Sequence, residues 1–559
     1  MPEWVLGLGG SDHDFSAVLM RDGDIRVAIE QERLSRRKYG KTLWFESPVA
    51  LAVDYCLAAE GIGLSDVSAI VSSDTLPTKL RVEFQERNLR LFPHHLCHGA
   101  SAYMMAPAGS RAGVLVYDGF GSIVGPIEDQ MRCRRETFSF FLFGPDGYEC
   151  MGQTLGHATV EGDDFPIVVT NSMGLLYELV TAQLGYDPLE AGKTMGLSSY
   201  GQPRHTALLG QFIRHGDDPA DFFRCSLDDP ELPAVLGKLL FQTPNLFADK
   251  ADLAASVQAV MNSTALRALS FFRNRAIDHL CLGGGCALNT VTNSYLVEAA
   301  AFDVPFSIAP HCGDAGLGFG SLWLYEFEKQ GRAPQLTFRG QPLNPSLSRP
   351  GRAYSTIERA TAVQQFYPRL SHDPSIRTAR DLAQILASGE VIGLFNGASE
   401  IGPRALGGRS IIADPLRAST KERINRVIKK REPFRPFAPI VLEDRYDDYF
   451  VDRRCADAYM LRVARVQERC RNEAPAVVHV DGTARVQVVE PAGDVLLASL
   501  LREFEALTGR AVLLNTSFNR RGEPIVETPL DALDAFLGME LDGLYLDGEF
   551  YRAAISRSR

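Results

Sequence analysis

His94 and His98 stand four residues apart in "LFPHHLCHGASAYMMA" (Leu91–Ala106), in a chain with eleven histidines. On a helix that spacing puts both side chains on one face. Pro93 just ahead reads as a first helical position, where its missing N–H costs nothing. Two imidazoles aimed at one spot suit a divalent metal of the hard or borderline kind, which takes imidazole and carboxylate together. Asp118 in "VLVYDGFG" follows an apolar strand, at the carboxyl end where open α/β sheets gather their sites. Asp314 in "PHCGDAGLGFGS" stands in a glycine-rich turn before a helix. Each also has a structural reading: a satisfied histidine pair at a helix start, a turn-forming Asp118, and an Asp314 that only caps a helix.

Three further features carry chemistry. His13 lies in the loop "GGSDHDFSAVL". An imidazole titrates near ~6.5, so it can accept a hydroxyl proton near neutrality, or it can simply bond to backbone. "LGGGCALN" (Leu282–Asn289) offers bare backbone N–H groups at a helix start, fit for phosphate or for close packing. In the second half, "EIGPRALGGRSIIADP" and "INRVIKKREPFRPFAPIVLE" interleave cations with Phe434, Pro436 and Phe437. A solvated basic face would be spread at helical spacing among acids. This pattern suggests a partly buried anion site built on guanidinium groups, which bind phosphate bidentately. Arg485 in "HVDGTARVQVV" and Ser517 and Asn519 in "LLNTSFNRRGEPIV" extend it.

These side chains need a frame. The chain opens on the apolar strand "WVLGLGG", and Asp22-Gly23 between two alternating runs reads as a hairpin turn. "VALAVDYCLAAEGI" has helical spacing; "VSAIVSS" and "AGVLVYDGFGS" have parallel-strand character. Roughly Gly174 to Arg275 is mostly helical in pattern, and "HLCLGGGCALNTVTNSYLVEAA" reads as strand, glycine turn and helix. Strands alternating with helices predict an α/β fold. The proline- and glycine-rich stretch Leu336–Ser355 reads as an interdomain linker. A second α/β pattern follows, with "ARDLAQILASGEVIGLFNG" as helix and strand and "RAVLLNTSFN" as a strand feeding a turn. Two domains are expected, 1–345 and 346–559.

Composition narrows the classes. The 559 residues carry 58 basic and 69 acidic side chains, net −11, which argues against a sequence-independent nucleic-acid binder. No apolar run approaches the roughly 20 residues of a membrane span. The N-terminus has no basic stretch ahead of an apolar one, so no signal peptide is expected. Ten scattered cysteines without a C-x-x-C pair point to reduced thiols and a cytoplasmic protein.

"HHLCHGASAY", "VYDGFG", "EAGKTMGLSSYG", "LGGGCALN" and "PHCGDAGLGFG", in that order, resemble the O-carbamoyltransferases of antibiotic and nodulation-factor biosynthesis. The tobramycin and cephem enzymes are examples. The resemblance implies an N-terminal two-lobed, actin- and sugar-kinase-like domain, as in tRNA threonylcarbamoyl transferases. It also implies a C-terminal YrdC-like α/β domain that makes carbamoyl-adenylate from carbamoyl phosphate and ATP. His94, His98, Asp118 and Asp314 become ligands of a divalent metal, iron(II) first, with manganese or zinc also fitting. His13 becomes the general base. Glu190, Lys193, Gly283, Gly284 and Asn289 become nucleotide contacts of the N-terminal domain, although Ala191 replaces a family glycine. Arg404, Lys429, Arg435, Arg485 and Ser517 become carbamoyl phosphate or nucleotide contacts of the C-terminal domain, with Arg409, Lys430 and Arg431 as further candidates. Gly408 stands where the family often has Asn, and Arg520-Arg521 where it often has small or aliphatic residues. The implied reaction transfers a carbamoyl group to a hydroxyl, with ATP and its Mg as co-substrate. Aminoglycoside, cephem, macrolide, ansamycin and chito-oligosaccharide acceptors all fit, with no nucleic acid or membrane partner and with self-association left open. The competing readings are a threonylcarbamoyl-transferase-like enzyme and an actin-like ATP-binding regulatory module.

Overall fold

The computed structural model describes residues 2–11, 13–40, 49–126, 132–160, 167–299 and 302–554. The chain forms two compact units. One holds Met1–Arg26 and Glu60–Asn344; the other holds Val27–Ala59 and Pro345–Arg559. Both contain mixed sheets flanked by helices, the α/β class expected. Among the described residues no helix is long and apolar enough to cross a membrane. The ten cysteines are free thiols.

The first unit is built on two sheets. In one, Trp4–Gly9 pairs antiparallel with Ser16–Arg21 and parallel with Val67–Ser73, which pairs parallel with Leu89–Phe92. Asp22 and Gly23 both take left-handed backbone, φ 49° and 80°, which the two-residue hairpin turn requires. In the other sheet, Ala112–Tyr117 lies between His279–Gly283, parallel, and Arg132–Gly144, antiparallel. The helices His94–Tyr103 and Leu317–Gln330 pack on each other. They approach closely because Gly320 has no side chain: a Cβ there would sit 1.8 Å from the Cys97 carbonyl oxygen.

Three parts differ from the sequence expectation. Arg132–Gly144 and Gly147–Val160 form a long hairpin, with two register shifts, that was not anticipated. The mostly helical middle also contains a small strand pair, Ile213–His215 with Phe223–Cys225. The stretch read as linker is partly sheet: Thr337–Phe338 pairs with Asp24 and Ile25, and Gln341–Pro342 folds back on it around Arg339 and Gly340, both at positive φ.

The second unit has one eight-stranded sheet, in the order Leu370–His372, Glu549–Ala553, Gly543–Leu546, Ile392–Phe395, Arg409–Ala413, Val512–Ser517, Ala438–Leu442, Gln487–Val489. The expected helix is Ala379–Ala387, opened by a Thr378–Asp381 capping box. It packs with Val495–Thr508, burying Leu382, Leu386, Leu500, Leu501 and Phe504 against Leu394, Ile412, Ile440 and Leu513.

Candidate metal centre and anion site

In the first unit, His94 and His98 are the first and fifth residues of the helix His94–Tyr103; Pro93 stands one position earlier than expected, at its N-cap. The first two helical N–H groups, which no helix can satisfy internally, donate to side chains: His94 to Ser122 Oγ at 2.7 Å and His95 to Glu136 Oε2 at 3.0 Å. The helix thereby points both Nε2 atoms at one spot, 3.1 Å apart. Asp118 follows the strand Ala112–Tyr117. Its Oδ1 accepts from the Gly119 and Gly285 N–H groups at 2.7 and 3.1 Å. Its Oδ2 is buried without a well-aligned donor, with His98 Nε2 at 3.0 Å and His94 Nε2 at 3.5 Å. Asp314 Oδ1 lies 3.6 and 3.4 Å from the same two nitrogens. The four ligand atoms fall within 4.8 Å of one another, and all four residues are buried.

Burial works against the charged forms of His98, Asp118 and Asp314, yet their neighbours hold these three charged. Paired with Asp118 and Asp314, the His98 imidazole is raised to about 9. Asp314 is lowered to about 2 by the charge of His94 and its bond to His98. The two imidazoles likewise hold Asp118 well below the usual carboxylate range. Two nitrogens and two carboxylates, closed off from water, with an orphaned oxygen between them, fit a divalent cation of borderline character. His95 turns elsewhere, its Nδ1 on Ser139 Oγ at 2.8 Å.

Sequence reading missed the groups that orient the ligands. Thr75 Oγ1 is 2.7 Å from His94 Nδ1, and Ser73 backs Thr75 at 2.6 Å. Ser11 Oγ donates to Asp314 Oδ2. Such outer partners set the tautomer and direction of a ligand. Hydroxyls at strand ends have no spacing that would reveal them.

His13 lies in the loop between the strands Trp4–Gly9 and Ser16–Arg21, which is tied to Asp314 through Gly10 N–H at 2.9 Å from the Asp314 carbonyl oxygen. Its Nδ1 is 3.2 Å from Asp14 Oδ2. Gly283 ends its strand and Gly284 takes φ 87° against the Tyr117 carbonyl, where a Cβ would come within 2.4 Å. Close packing behind Asp118 is thus one requirement for these glycines. Lys193 and Glu190 pair with each other at 2.7 Å. The Asn289 amide is engaged by Gln258 and accepts the Thr292 N–H at 3.0 Å, capping the following helix.

In the second unit, Lys429 is buried and its ammonium donates to Ser517 O at 2.8 Å, Asn519 O at 2.9 Å and Asn519 Oδ1 at 2.6 Å. Burial, then Arg431, Arg435 and Lys38, push it well below its ordinary value. Burial and the neighbouring Arg404, Arg435 and Arg431 act the same way on Arg485. Arg431, stacked on Phe437 and bonded to Asn425, is lowered to about 9 by burial and Arg435. A guanidinium keeps its proton in proteins. The mutual pressure of these cations is instead a standing attraction for an anion.

Arg409 does not join them. Its guanidinium is buried over the Phe395 ring at 3.5 Å and bonds the carbonyls of Gly397 and Glu527. The Lys430 carbonyl accepts from Arg521 Nη1 at 3.2 Å. Glu400 organises the loop that presents Arg404: its Oε1 accepts from the N–H groups of Leu406, Gly408 and Arg409 at 2.7, 2.6 and 3.1 Å. At Gly408 a Cβ would meet the Ala398 carbonyl oxygen at 2.8 Å, so a larger residue requires the loop to shift.

Residues 76–322 match the family described as carbamoyltransferase N-terminus, and residues 383–552 that described as carbamoyltransferase C-terminus. Nodulation protein NolNO of Sinorhizobium fredii is 33% identical over 95% of this chain and 78% of its own length. An uncharacterized protein of Synechocystis is 32% identical over 97% of this chain and 95% of its own. Among solved structures, full-length HypF in a phosphate- and nucleotide-bound form aligns over 58% of this chain and 55% of its own, at 13% identity and TM-score 0.41.

Proposed function

The chain belongs to the carbamoyltransferase family and is a carbamoyltransferase, and on that premise we propose that it is an ATP-dependent O-carbamoyltransferase working in two half-reactions. In the second unit, carbamoyl phosphate is cleaved by water to carbamate and phosphate, and a carbamate oxygen displaces pyrophosphate from the α-phosphate of ATP, giving carbamoyl-adenylate. In the first, the carbamoyl group passes to a hydroxyl of a small-molecule acceptor, leaving AMP. We assign the first half-reaction to the second unit, which adds Val27–Ala59 to the expected domain 346–559, and the second to the first unit, the remainder of the expected domain 1–345, in the cytoplasm. The observation that carries this reading is the cluster of buried, mutually repelling cations around Arg485 and Lys429.

Arg404, Arg435 and Arg485 would bind the phosphates through charge-assisted hydrogen bonds, and Lys429, whose three N–H groups go to Ser517 and Asn519, would add its charge beside them. Ser517 and Asn519 hold the Lys429 ammonium in place at the end of the strand Val512–Ser517. In the first unit, His94, His98, Asp118 and Asp314 would hold a divalent ion, iron(II) foremost, whose chemistry when bound is Lewis-acid polarisation of a carbamoyl or phosphate oxygen. His13 would take the proton of the acceptor hydroxyl, its ring biased in orientation by Asp14. Glu190, Lys193, Gly283, Gly284 and Asn289 would be the nucleotide contacts of this unit. AMP release from ATP is the test: the reading requires that it depend on carbamoyl phosphate and that pyrophosphate appear with it. ATP turnover indifferent to carbamoyl phosphate would favour a regulatory module instead.

A further inference from the structure

Two arginines from the N-terminal end of the chain grip both walls of the anion site. Val27–Ala59 belongs to the second unit, and its short helix Gln31–Ser35 carries Arg33. Arg33 is fully buried; its Nε donates to Glu30 Oε2 at 2.7 Å and its Nη2 to the Gly402 carbonyl at 2.6 Å. Gly402 starts the loop that folds around Glu400 and presents Arg404. Arg36 reaches the other wall: Nη1 donates to the Ile525 carbonyl at 2.7 Å and Nη2 to the Pro524 carbonyl at 2.9 Å. The adjoining Glu523 carbonyl accepts from Asn519 Nδ2 at 2.6 Å, and Asn519 Oδ1 receives the Lys429 ammonium at 2.6 Å. Arg36 Nη1 also reaches the Arg33 carbonyl at 3.3 Å, so the two arms are joined.

The backbone supplies a second, independent sign. Arg36 closes the helix in the left-handed region, φ 59° and ψ 18°. Glycine is the usual residue there and other residues are strained. In that conformation the Arg36 side chain bonds the carbonyls of Arg33, Pro524 and Ile525. Lys38, two residues on, adds its charge to those acting on Lys429.

We propose that Arg33 and Arg36 are positioning residues of the anion site, a two-armed clamp that sets the Arg404 loop and the Asn519–Lys429 turn at the separation a phosphate group needs. The clamp rests on the reading of that cluster as the carbamoyl phosphate site. It touches no substrate; it acts through Gly402 on one side and through Pro524 and Ile525 on the other.

Carbamoyl-phosphate-dependent AMP release by the full-length chain tests it, with KM and kcat measured separately and thermal melts alongside. Arg36→Ala should raise KM for carbamoyl phosphate roughly tenfold, the scale of one lost charge-assisted bond, while kcat stays within about threefold. Arg36→Lys, which keeps one donor head, should recover part of that KM at an equally lowered melting temperature. Arg33→Lys should raise KM in the same direction. Wild-type KM in Arg36→Ala and Arg33→Lys, or a KM that tracks melting temperature alone across the three variants, overturns the clamp. Absence of carbamoyl-phosphate-dependent AMP release from the wild-type chain overturns the site reading beneath it, and the clamp with it.

Discussion

His98 holds a proton that a metal would have to displace. Burial disfavours the imidazolium, but its bonds to Asp118 and Asp314 raise it from the ordinary 6.5 to about 9. In metal-free protein the stability from that proton is complete below about pH 6.5 and is lost as pH climbs through about 9. Chelator-treated protein should therefore melt at falling temperature across that window, and excess divalent ion should flatten the slope. Equal slopes with and without metal would detach the cluster from metal binding. His13 makes a separate prediction: in His13→Asn the carbamoyl-adenylate should be hydrolysed by water, so AMP release continues while carbamoylated product falls roughly 10²–10⁴-fold, the usual loss for a general base. Parallel loss of both would mark a structural role in its loop. The four candidate ligands were legible because residue type and position coincide: two imidazoles one helical turn apart, and carboxylates at a strand end and in a glycine turn. Thr75, Ser73 and Ser11 were not, because a hydroxyl gains its role only from what the fold brings beside it.

The elements that aim these side chains were legible where periodicity or turn chemistry was strong. Asp22-Gly23, the capped helix Ala379–Ala387 and the strand Val512–Ser517 stand where the sequence predicts them. The hairpin over Arg132–Gly144 and Gly147–Val160 escaped because its register slips twice, which breaks the two-residue alternation that marks a strand. Thr337–Phe338 escaped because a two-residue edge strand among prolines and glycines has no pattern to show. The helix carrying His94 and His98 depends on close approach at Gly320, where a Cβ would stand 1.8 Å from the Cys97 carbonyl oxygen. Gly320→Ala should destabilise the protein by roughly 1–3 kcal/mol, the usual cost of overpacking, and lower bound metal. Denaturant melts and metal analysis check this; unchanged values for both would mean that the helices part without consequence.

At the scale of the whole molecule, the chain enters the first unit, crosses to the second over Val27–Ala59, returns, and crosses again after Asn344. The second passage shows a composition break in the sequence. The first does not, since "DIRVAIEQERLSRR" runs from strand to helix with no linker, and so the bonds of Arg33 and Arg36 to the Gly402, Pro524 and Ile525 carbonyls were hidden. The proposed function divides the labour between the two units: activation of carbamoyl phosphate on the cations of the second, transfer to a hydroxyl at the candidate metal centre of the first. The most direct measurement compares AMP release with carbamoylated product in one tube, for full-length His98→Ala and Arg485→Ala, using a hydroxyl acceptor that the wild-type chain carbamoylates. His98→Ala should lose bound metal and product but keep carbamoyl-phosphate-dependent AMP release, because the carbamoyl-adenylate then gives up its carbamoyl group to water instead of to the acceptor. Arg485→Ala should lose AMP release and product while keeping its metal. AMP release that disappears in His98→Ala, or persists at the wild-type rate in Arg485→Ala, would contradict the assignment of the two half-reactions to the two units.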